Sequence, residues 1–172
     1  MKNSFTFRQF VIEHDRCAMK VGTDGVLLGA WADLSGSSLI LDIGCGSGLI
    51  ALMAAQRAPY ASVWGIDVDA PSVGQARQNV LNSPFSERIQ ILECDVRTYS
   101  PGILFNHILC NPPFYTEHTL PPDDARMRAR HTASLSLECL LENAGRILAA
   151  KGTFSLILPY LTAERFITHA LA

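Results

Sequence analysis

Short apolar runs alternate with longer amphipathic stretches along the chain from position 39 onward. Five runs have the length and apolar content of buried strands: residues 39–43, 62–66, 89–94, 105–110 and 154–158. Helical spacing of apolar residues separates or follows them at residues 49–56, after Asp69, at residues 137–148 and from Thr162. This alternation predicts an α/β fold with a doubly wound, mostly parallel sheet and right-handed crossovers.

Two helix boundaries are marked by particular residues. Asp69 has the side chain of an N-cap, Pro71 follows in the first turn, and residues 82–84 would end that helix. The helix that begins near Leu137 is expected to end at Lys151-Gly152, before the last strand.

The first 34 residues form a leader to the alternating pattern. Residues 14–24 are mostly polar and residues 26–28 are apolar, with Gly22, Gly25 and Gly29 between them. A turn followed by a short helix is the prediction. Two interpretations remain open: the leader caps the core, or its polar residues reach the charged end of a bound cofactor.

A glycine-rich turn follows the first predicted strand. Asp42-Ile43 leads into Gly44, Gly46 and Gly48, and a helix begins directly afterwards. Glycines allow the backbone to turn sharply and to approach a ligand without a Cβ in the way, while the amides at the start of a helix favour anionic or polar ligand groups. A glycine motif alone is weak evidence, and its context decides its meaning.

Polar side chains stand at the ends of the next three strands. Asp67 ends the second strand about 20 residues after Gly48, the spacing at which a carboxylate accepts hydrogen bonds from ribose hydroxyls. Asp95 ends the third, and Asn111-Pro112-Pro113-Phe114 follows the fourth. Because parallel strands bring their carboxyl ends to one edge of the sheet, these residues predict a nucleoside pocket beside a second-substrate site.

Composition and charge exclude several classes of protein. The 172 residues are 48% hydrophobic and 17% charged, which suits one globular domain, and no apolar run is long enough to span a membrane or to resemble a signal peptide. We therefore expect a cytoplasmic protein. Five cysteines without a Cys-x-x-Cys pair favour reduced, mostly buried thiols over disulfides or a zinc site, and we expect no metal. The net charge of −2 excludes a globally basic nucleic-acid binder and leaves a local basic patch possible.

Such a patch is suggested by an irregular stretch after the fourth strand. Arg126, Arg128 and Arg130 alternate there, beside Asp123 and Asp124. The stretch is either a solvated, partly balanced charge run or a phosphate-binding surface next to the site.

The motifs resemble those of the S-adenosylmethionine-dependent amino-methyltransferases. The leader narrows the resemblance to the bacterial tRNA1(Val) (adenine(37)-N6)-methyltransferase family. This resemblance covers essentially the whole chain. The residues that carry it are His14 to Gly25, Leu28-Gly29-Ala30-Trp31, Asp42 to Gly48, Asp67, Asp95 and Asn111-Pro112-Pro113-Phe114.

The resemblance implies a Rossmann-like class I methyltransferase fold with S-adenosylmethionine as cofactor and tRNA as partner. Its cofactor-binding residues would be Lys20, Thr23, Asp24, Asp42, Gly44, Gly46, Gly48, Asp67, Asp95 and Asn111. Asn111, Pro112 and Phe114 would be catalytic, and Pro113, Phe114, Arg126, Arg128 and Arg130 would bind the substrate. The amide and carbonyl oxygens of Asn111 and Pro112 would orient an exocyclic adenine amine, and Phe114 would stack on the base.

The sequence departs from the family after the fifth strand. The family ends its sheet with an antiparallel strand pair, whereas one short helix remains after Pro159. We therefore expect a single methyltransferase domain over residues 1–172, with a cofactor-covering leader (1–34) and a carboxyl-terminally truncated core (35–172) whose strand at 154–158 is an apolar edge. In the second departure, Phe114 stands where Tyr is also common.

Two alternatives to a tRNA adenine-N6 methyltransferase stay open. Enzymes that methylate a glutamine amide in a protein use the same Asn-Pro-Pro-aromatic motif, although the leader argues against them. The second alternative is a binding or assembly module, which binds the cofactor without turnover.

Overall fold

The computed structural model describes residues 3–112 and 135–171. The strands are β1 (Ser4–Thr6), β2 (Val11–Glu13), β3 (Leu39–Ile43), β4 (Ser62–Asp67), β5 (Ile89–Glu93), β6 (Phe105–Cys110) and β7 (Leu148–Leu156). The helices are α1 (Thr23–Trp31), α2 (Leu49–Arg57), α3 (Ala70–Leu81), α4 (Leu137–Ile147) and α5 (Tyr160–Ala170), with a single 3₁₀ turn at Ser86–Arg88.

Strands β3 to β7 form one sheet in the order β5-β4-β3-β6-β7, and every neighbouring pair is parallel. This confirms the α/β class and the alternation predicted from the apolar pattern. Strand β3 is central, the chain runs outward to β4 and β5 on one side, and β6 and β7 extend the other. Within the described residues, β7 is an edge strand of this sheet, as expected for the strand at 154–158.

Helices cover both faces of the sheet, which makes it doubly wound. On one face, the β3 residue Ile40 belongs to a core cluster with Leu28 of α1, Leu52 of α2 and Val73 of α3. On the other face, alternate strand residues such as Ile108 pack in a cluster with α4. Because side chains of a strand point alternately to the two faces, near-continuous apolar strands are what a sheet buried on both sides requires.

Helix α3 begins and ends where the sequence predicted. The Asp69 carboxylate accepts hydrogen bonds from the Ser72 amide at 3.1 Å and the Ser72 hydroxyl at 2.6 Å, and Pro71 lies in the first turn. Asn82 is the C-cap, and its amide donates to the Gln78 carbonyl. The capped helix returns the chain to the start of β5.

The predicted end of the following helix is wrong. Helix α4 ends at Ile147 rather than at Lys151-Gly152, and those two residues lie inside β7. Leu148 pairs with Phe105 while Thr153 pairs with His107, so four residues of β7 bulge opposite one residue of β6. Strand pairing therefore overrides the helix propensity of the Ala149-Ala150 segment, and Gly152 accommodates a bulge, since a Cβ there would lie 2.7 Å from the Leu148 side chain. Helix α5 likewise begins two residues before the predicted Thr162.

The leader contains the predicted turn and helix, preceded by a hairpin that the sequence did not indicate. Strands β1 and β2 pair antiparallel, with Phe5 opposite Ile12. Helix α1 packs closely on α2, because a Cβ at Gly29 would lie 2.6 Å from the Met53 sulfur. The Arg57 guanidinium also donates to the Gly29 carbonyl at 2.9 Å. The leader is therefore an integral layer of the described fold.

The cysteines confirm the expectation of free thiols. All five are unpaired; Cys17, Cys45 and Cys110 are buried, while Cys94 and Cys139 are half-buried. Within residues 3–112 and 135–171, no helix combines the length and hydrophobicity needed to cross a membrane.

Candidate active site

Strand register places three predicted site residues side by side. Ile43 pairs with Ile66 of β4 and with Cys110 of β6, so Gly44, Asp67 and Asn111 are the next residues of three adjacent strands. The order of strands reverses between β3 and β6, which is the switch point where open α/β sheets bind ligands. The predicted meeting of these strand ends is therefore confirmed.

The glycine loop depends on the conformational freedom of its glycines. Gly44, Gly46 and Gly48 have φ values of 71°, 53° and 81°, which lie in the left-handed region. Cβ atoms added at Gly44 and Gly46 would meet no atom within 4 Å, whereas one at Gly48 would lie 3.3 Å from the Ala76 Cβ. The first two glycines thus keep open space along the loop, and Gly48 allows the loop to pack against α3.

Hydrogen bonds attach this loop to the neighbouring strand. The Gly46 amide donates to Asp67 Oδ2 at 2.8 Å, and the Asp69 amide donates to Asp67 Oδ1 at 2.9 Å. The Gly44 amide also donates to the Ile66 carbonyl. Each carboxylate oxygen has more than one lone pair, so the half-buried Asp67 retains acceptor capacity for ligand hydroxyls.

Asp42 is a fully buried carboxyl group beneath the loop. Its Oδ2 accepts the Ala51 amide of α2 at 3.0 Å, and its Oδ1 has no hydrogen-bond partner among the described residues. The pKa of Asp42 is raised to about 7, chiefly by burial; the Ala51 hydrogen bond opposes this rise, and the charge of Asp67 adds to it. An unpartnered buried acceptor beside an open loop is suited to a donor or cationic group on a ligand.

Asp95 is engaged in an ion pair that the sequence did not predict. The Arg97 Nε donates to Asp95 Oδ1 at 3.0 Å and Oδ2 at 2.9 Å, and Nη2 lies 2.5 Å from Oδ2. These hydrogen bonds lower the pKa of Asp95. Asp95 follows β5, which is two strands away from β3 and its glycine loop. Asp67 belongs to β4, which is next to β3.

Asn111 lies at the contact between β6 and the first turn of α1. A Cβ added at Gly25 would lie 3.6 Å from Asn111 Nδ2, and 3.2 Å from a methyl group of Leu49. Asn111 and Pro112 are half-buried. Thr23 and Asp24 are exposed in that same turn of α1, so the structure brings them to the side of the site where Asn111 lies.

Lys20 is held within the leader. Its Nζ donates to the His14 carbonyl at 2.7 Å, and the Val21 amide donates to His14 Nδ1 at 3.3 Å. Buried His14 therefore shapes the segment that leads into α1. Lys20 itself is exposed and lies three residues before Thr23.

Five predicted site residues lie outside the described residues. They are Pro113, Phe114, Arg126, Arg128 and Arg130. Their proposed roles continue to rest on the sequence.

The structure also indicates a candidate that the sequence reasoning missed. Val68 directly follows Asp67 and is 66% exposed, although it is apolar. An exposed Val beside an acceptor carboxylate provides a surface for the apolar face of a planar ligand. An apolar residue immediately after a strand-end carboxylate was the signal that could have identified it.

The parallel sheet with a glycine loop at its switch point defines a Rossmann-like fold, and the match to the methyltransferase small domain makes its class a methyltransferase, for which S-adenosylmethionine is the methyl donor. The described residues fit this cofactor, since they combine open space along the loop, an acceptor carboxylate and a buried unpartnered oxygen. No group of three or more His, Cys, Asp or Glu side chains in the described part of the chain is arranged to hold a metal ion.

Comparisons with known proteins identify the family. The methyltransferase small domain matches residues 22–166. The tRNA1(Val) (adenine(37)-N6)-methyltransferase of Bacteroides thetaiotaomicron is 46% identical over 167 residues, which cover 96% of this chain and 70% of the relative. The protein of the same name from Phocaeicola vulgatus is 48% identical over 166 residues, with coverages of 96% and 70%. The chain belongs to the tRNA1(Val) (adenine(37)-N6)-methyltransferase family.

Solved structures agree with the fold. TrmN from Thermus thermophilus is 27% identical, with a TM-score of 0.59 over 86% of this chain and 40% of that protein. A protein from Agrobacterium tumefaciens described as an O-methyltransferase has a TM-score of 0.64 at 24% identity, over 86% of this chain and 66% of its own. The Rossmann-like methyltransferase fold expected from the motifs is thereby confirmed.

Proposed function

We propose that this chain transfers the methyl group of S-adenosylmethionine to N6 of adenine 37 in the anticodon loop of tRNA1(Val). The observation that carries the proposal is the adjacency of Asn111 and Gly44 at neighbouring strand ends, which sets an amine-orienting motif beside a cofactor loop. The relatives at 46% and 48% identity support the choice of acceptor. A tRNA acceptor also favours a cytoplasmic location for the activity.

The cofactor would lie along the carboxyl ends of β3, β4 and β5. Gly44 and Gly46 leave room for the cofactor to approach the main chain of the loop, and Gly48 shapes the loop. Asp67 would accept hydrogen bonds from the ribose hydroxyls. Asp95 would accept one from the adenine amine, with Val68 against the base.

The methionine end would lie near α1. The unpartnered oxygen of Asp42 is an acceptor on the buried side of the loop. Lys20, Thr23 and Asp24 would close the other side, because they lie in or just before the turn of α1 beside Asn111.

The acceptor amine requires orientation as well as proximity. An exocyclic adenine amine is a poor nucleophile because its lone pair is delocalised into the ring. The Asn111 side-chain oxygen and the Pro112 main-chain carbonyl would each accept one N–H, which directs the lone pair toward the methyl group. The bound cofactor supplies an electrophilic methyl carbon on a positively charged sulfur. The new N–C bond would form as the S–C bond breaks, the electron pair of the S–C bond would stay on sulfur, and the amine would lose one proton to solvent.

Residues outside the described ranges would hold the rest of the RNA. Phe114 would stack on the flipped base next to Pro113, which is worth about 1 to 3 kcal/mol per stacked base. Arg126, Arg128 and Arg130 would contact phosphates. An unpaired loop nucleotide suits this arrangement better than a base in a duplex.

A transfer assay tests the proposal. Methyl-labelled S-adenosylmethionine is incubated with the protein and, in separate reactions, unmodified tRNA1(Val), the same tRNA with guanine at position 37, DNA, or a release-factor protein. We expect label in the tRNA with adenine 37 alone. Label in the protein acceptor and not in tRNA would show that the chain methylates a glutamine amide instead.

Asn111→Ala is the informative variant. We expect it to abolish transfer and to leave S-adenosylmethionine affinity nearly unchanged, because the side chain orients the acceptor amine. The matched control is Asn106→Ala at the amino end of the same strand, where Asn106 Oδ1 accepts from the Ser38 hydroxyl at 2.6 Å. That variant should lose stability and retain transfer. Parallel loss of transfer and cofactor affinity in Asn111→Ala would assign Asn111 to cofactor binding, and cofactor binding by the wild-type chain without transfer to any acceptor would favour a binding module.

A further inference from the structure

One buried amide joins the leader to the glycine loop. Asn79 lies on α3, is 2% exposed, and is the only side chain of the described residues that bonds both segments. Its Oδ1 accepts the Glu13 amide at 3.0 Å, and its Nδ2 donates to the Glu13 carbonyl at 2.8 Å. The same Nδ2 donates to the Ser47 carbonyl, inside the glycine loop, at 2.8 Å.

These three hydrogen bonds fix the orientation of the amide. Oxygen faces the one N–H and nitrogen faces the two carbonyls, so the flipped amide would lose every bond. The Asn79 side chain bonds Glu13 as a neighbouring strand would. The other edge of β2 is paired with β1, where Glu13 lies opposite Ser4. The hairpin is therefore fixed in register on α3 by a side chain that also determines the position of Ser47.

The restraint continues along the leader. His14 follows Glu13, and its carbonyl and ring nitrogen bind Lys20 and Val21. Thr23 and Asp24 begin α1 immediately afterwards. Hydrogen bonds and short main-chain segments thus connect Asn79 to Thr23 and Asp24, which we place at the methionine end of the proposed cofactor site.

Both apolar and polar residues of α3 lie near the leader, and the buried Phe10 and Ile12 belong to the core cluster that contains Val73 and Val80 of α3. Ser72, Gln75 and Asn79 are all buried and lie on one side of the helix at spacings of three and four residues. The oxygen of the Gln75 side chain has no partner among the described residues. Apolar contacts hold the hairpin against the core, and the directional hydrogen bonds of Asn79 fix its position relative to Ser47. We therefore expect loss of these bonds to displace this part of the leader.

We propose that Asn79 is a positioning residue that locks the leader segment 13–24 onto the glycine loop before the cofactor arrives. The inference rests on the proposed place of the cofactor between these two segments. If only chains with a docked leader bind S-adenosylmethionine well, the apparent dissociation constant rises as the docked fraction falls. The chemical step is unaffected once the cofactor saturates the site.

The test uses Asn79→Asp and Asn79→Ala in the full chain. Asn79→Asp has the same shape but loses both N–H donors and faces two carbonyl oxygens with a carboxyl group. We expect the Kd of S-adenosylmethionine to rise about tenfold in both variants, with kcat at saturating cofactor within about twofold of wild type. Hydrogen exchange of amides 13–22 should accelerate without cofactor and return to wild-type protection at saturation.

Two controls separate positioning from general loss of stability. Asn82→Ala removes an exposed amide at the C-cap of the same helix and should change neither Kd nor exchange. Val63→Ala opens the core at a fully buried strand residue and should lower Tm without raising Kd.

The outcomes are distinct from those of the transfer assay. If the Asn79 variants lose Tm but keep the wild-type Kd, or if Val63→Ala raises Kd as much as they do, Asn79 is merely structural and the inference fails. Should neither Asn79 variant fold, the wild-type chain decides: fast exchange of amides 13–22 without cofactor overturns the inference, and protection supports it. Failure of tRNA methylation with these binding results intact would contradict the proposed function alone.

Discussion

The Gly46 amide donates a 2.8 Å hydrogen bond to Asp67 Oδ2, although 21 residues separate them in the chain. This bond joins the glycine loop after β3 to the end of β4. It fixes the loop where Gly46 has a φ of 53° and where a Cβ would extend into open space. The same carboxylate can thus restrain the loop and accept a ligand hydroxyl.

A methyl group at Gly46 should weaken cofactor binding more than folding. The backbone of Gly46→Ala must adopt a left-handed conformation, which costs about 1 to 2 kcal/mol of folding free energy. The added Cβ would occupy the open space beside the loop, so we expect the Kd of S-adenosylmethionine to rise at least about tenfold. Calorimetric titration and urea denaturation measure the two effects.

Gly36→Ala is the matched control. Gly36 also has a positive φ, 72°, and a Cβ there would meet nothing within 4 Å. It precedes β3, at the opposite end of the strand from the glycine loop. Its substitution should cost similar stability and leave Kd unchanged, and an equal rise in Kd for both variants would contradict a cofactor site at Gly46.

Arg97 should compete with the cofactor for Asp95. The Arg97 side chain is 49% exposed, so solvent screens its ion pair and the pair contributes little to stability. Arg97→Ala should free Oδ2 of Asp95, while the main-chain amide of residue 97 still donates to Oδ1 at 2.9 Å. We expect it to lower the Kd of S-adenosylmethionine about two- to fivefold, whereas Asp95→Asn should raise the Kd. Arg57→Ala, which removes a guanidinium elsewhere, is the comparison for Kd. Weaker binding in Arg97→Ala would show that Arg97 supports the site.

Two glycines in helices should respond in opposite ways to Ala. A Cβ at Gly29 would lie 2.6 Å from the Met53 sulfur and 3.1 Å from its Cβ, so α1 and α2 must separate. We expect Gly29→Ala to cost about 1 to 3 kcal/mol. Gly74 in α3 is exposed and has open space, so Gly74→Ala should stabilise by up to about 1 kcal/mol. Thermal denaturation compares them, and Met53→Ala should partly rescue Gly29→Ala if the contact is the cause.

The sheet and the strand-end residues were predictable because both follow from local patterns. Buried parallel strands appear as continuous apolar runs, and the residue after each run must lie at the carboxyl edge, as Gly44, Asp67 and Asn111 do. The cap at Asp69 was predictable for the same reason, since its partner Ser72 is three residues away.

What the sequence did not predict depends on partners far away in the chain. The end of α4 is set by pairing of Leu148 with Phe105, which no local pattern encodes. Asn79 binds Glu13 across 66 residues, and from the sequence it is one of several polar residues on a helix. The ion pair of Arg97 with Asp95 is local in sequence but depends on the backbone conformation. An arginine two residues after a carboxylate points toward it only in some turns.

The pH dependence of stability should reveal the buried carboxyl group of Asp42. Its pKa is about 7 in the folded chain and about 3.9 in unfolded chains, so the folded state binds more protons between these values. The protonated group's contribution is complete below about pH 4 and is lost as the pH rises through 7, by at most about 4 kcal/mol. Urea denaturation without cofactor should therefore show a fall from pH 5 to 8 that Asp42→Asn lacks.

Two other groups define the controls for this measurement. Burial lowers the pKa of His107, so its contribution is lost as the pH falls below about 6.5 and runs in the opposite direction. The wild type and Asp42→Asn share this contribution of His107, so it cancels when the free energies of unfolding of the two proteins are subtracted. Hydrogen bonds from Ser35 lower the pKa of exposed Asp33, and the charge of Asp33 raises the pKa of His107. Asp33→Asn should therefore change the profile between pH 5 and 8 only through His107 and keep the fall that Asp42 causes.

The same group should link cofactor binding to protons. If the cationic methionine end lies near Asp42 Oδ1, binding favours the ionised carboxylate and releases protons near pH 7. Calorimetric titration in buffers of different ionisation enthalpy would then give a nonzero proton release for the wild-type chain and none for Asp42→Asn. A release that persists in Asp42→Asn would assign the proton to another group, and zero release in the wild type would place the cation away from this oxygen.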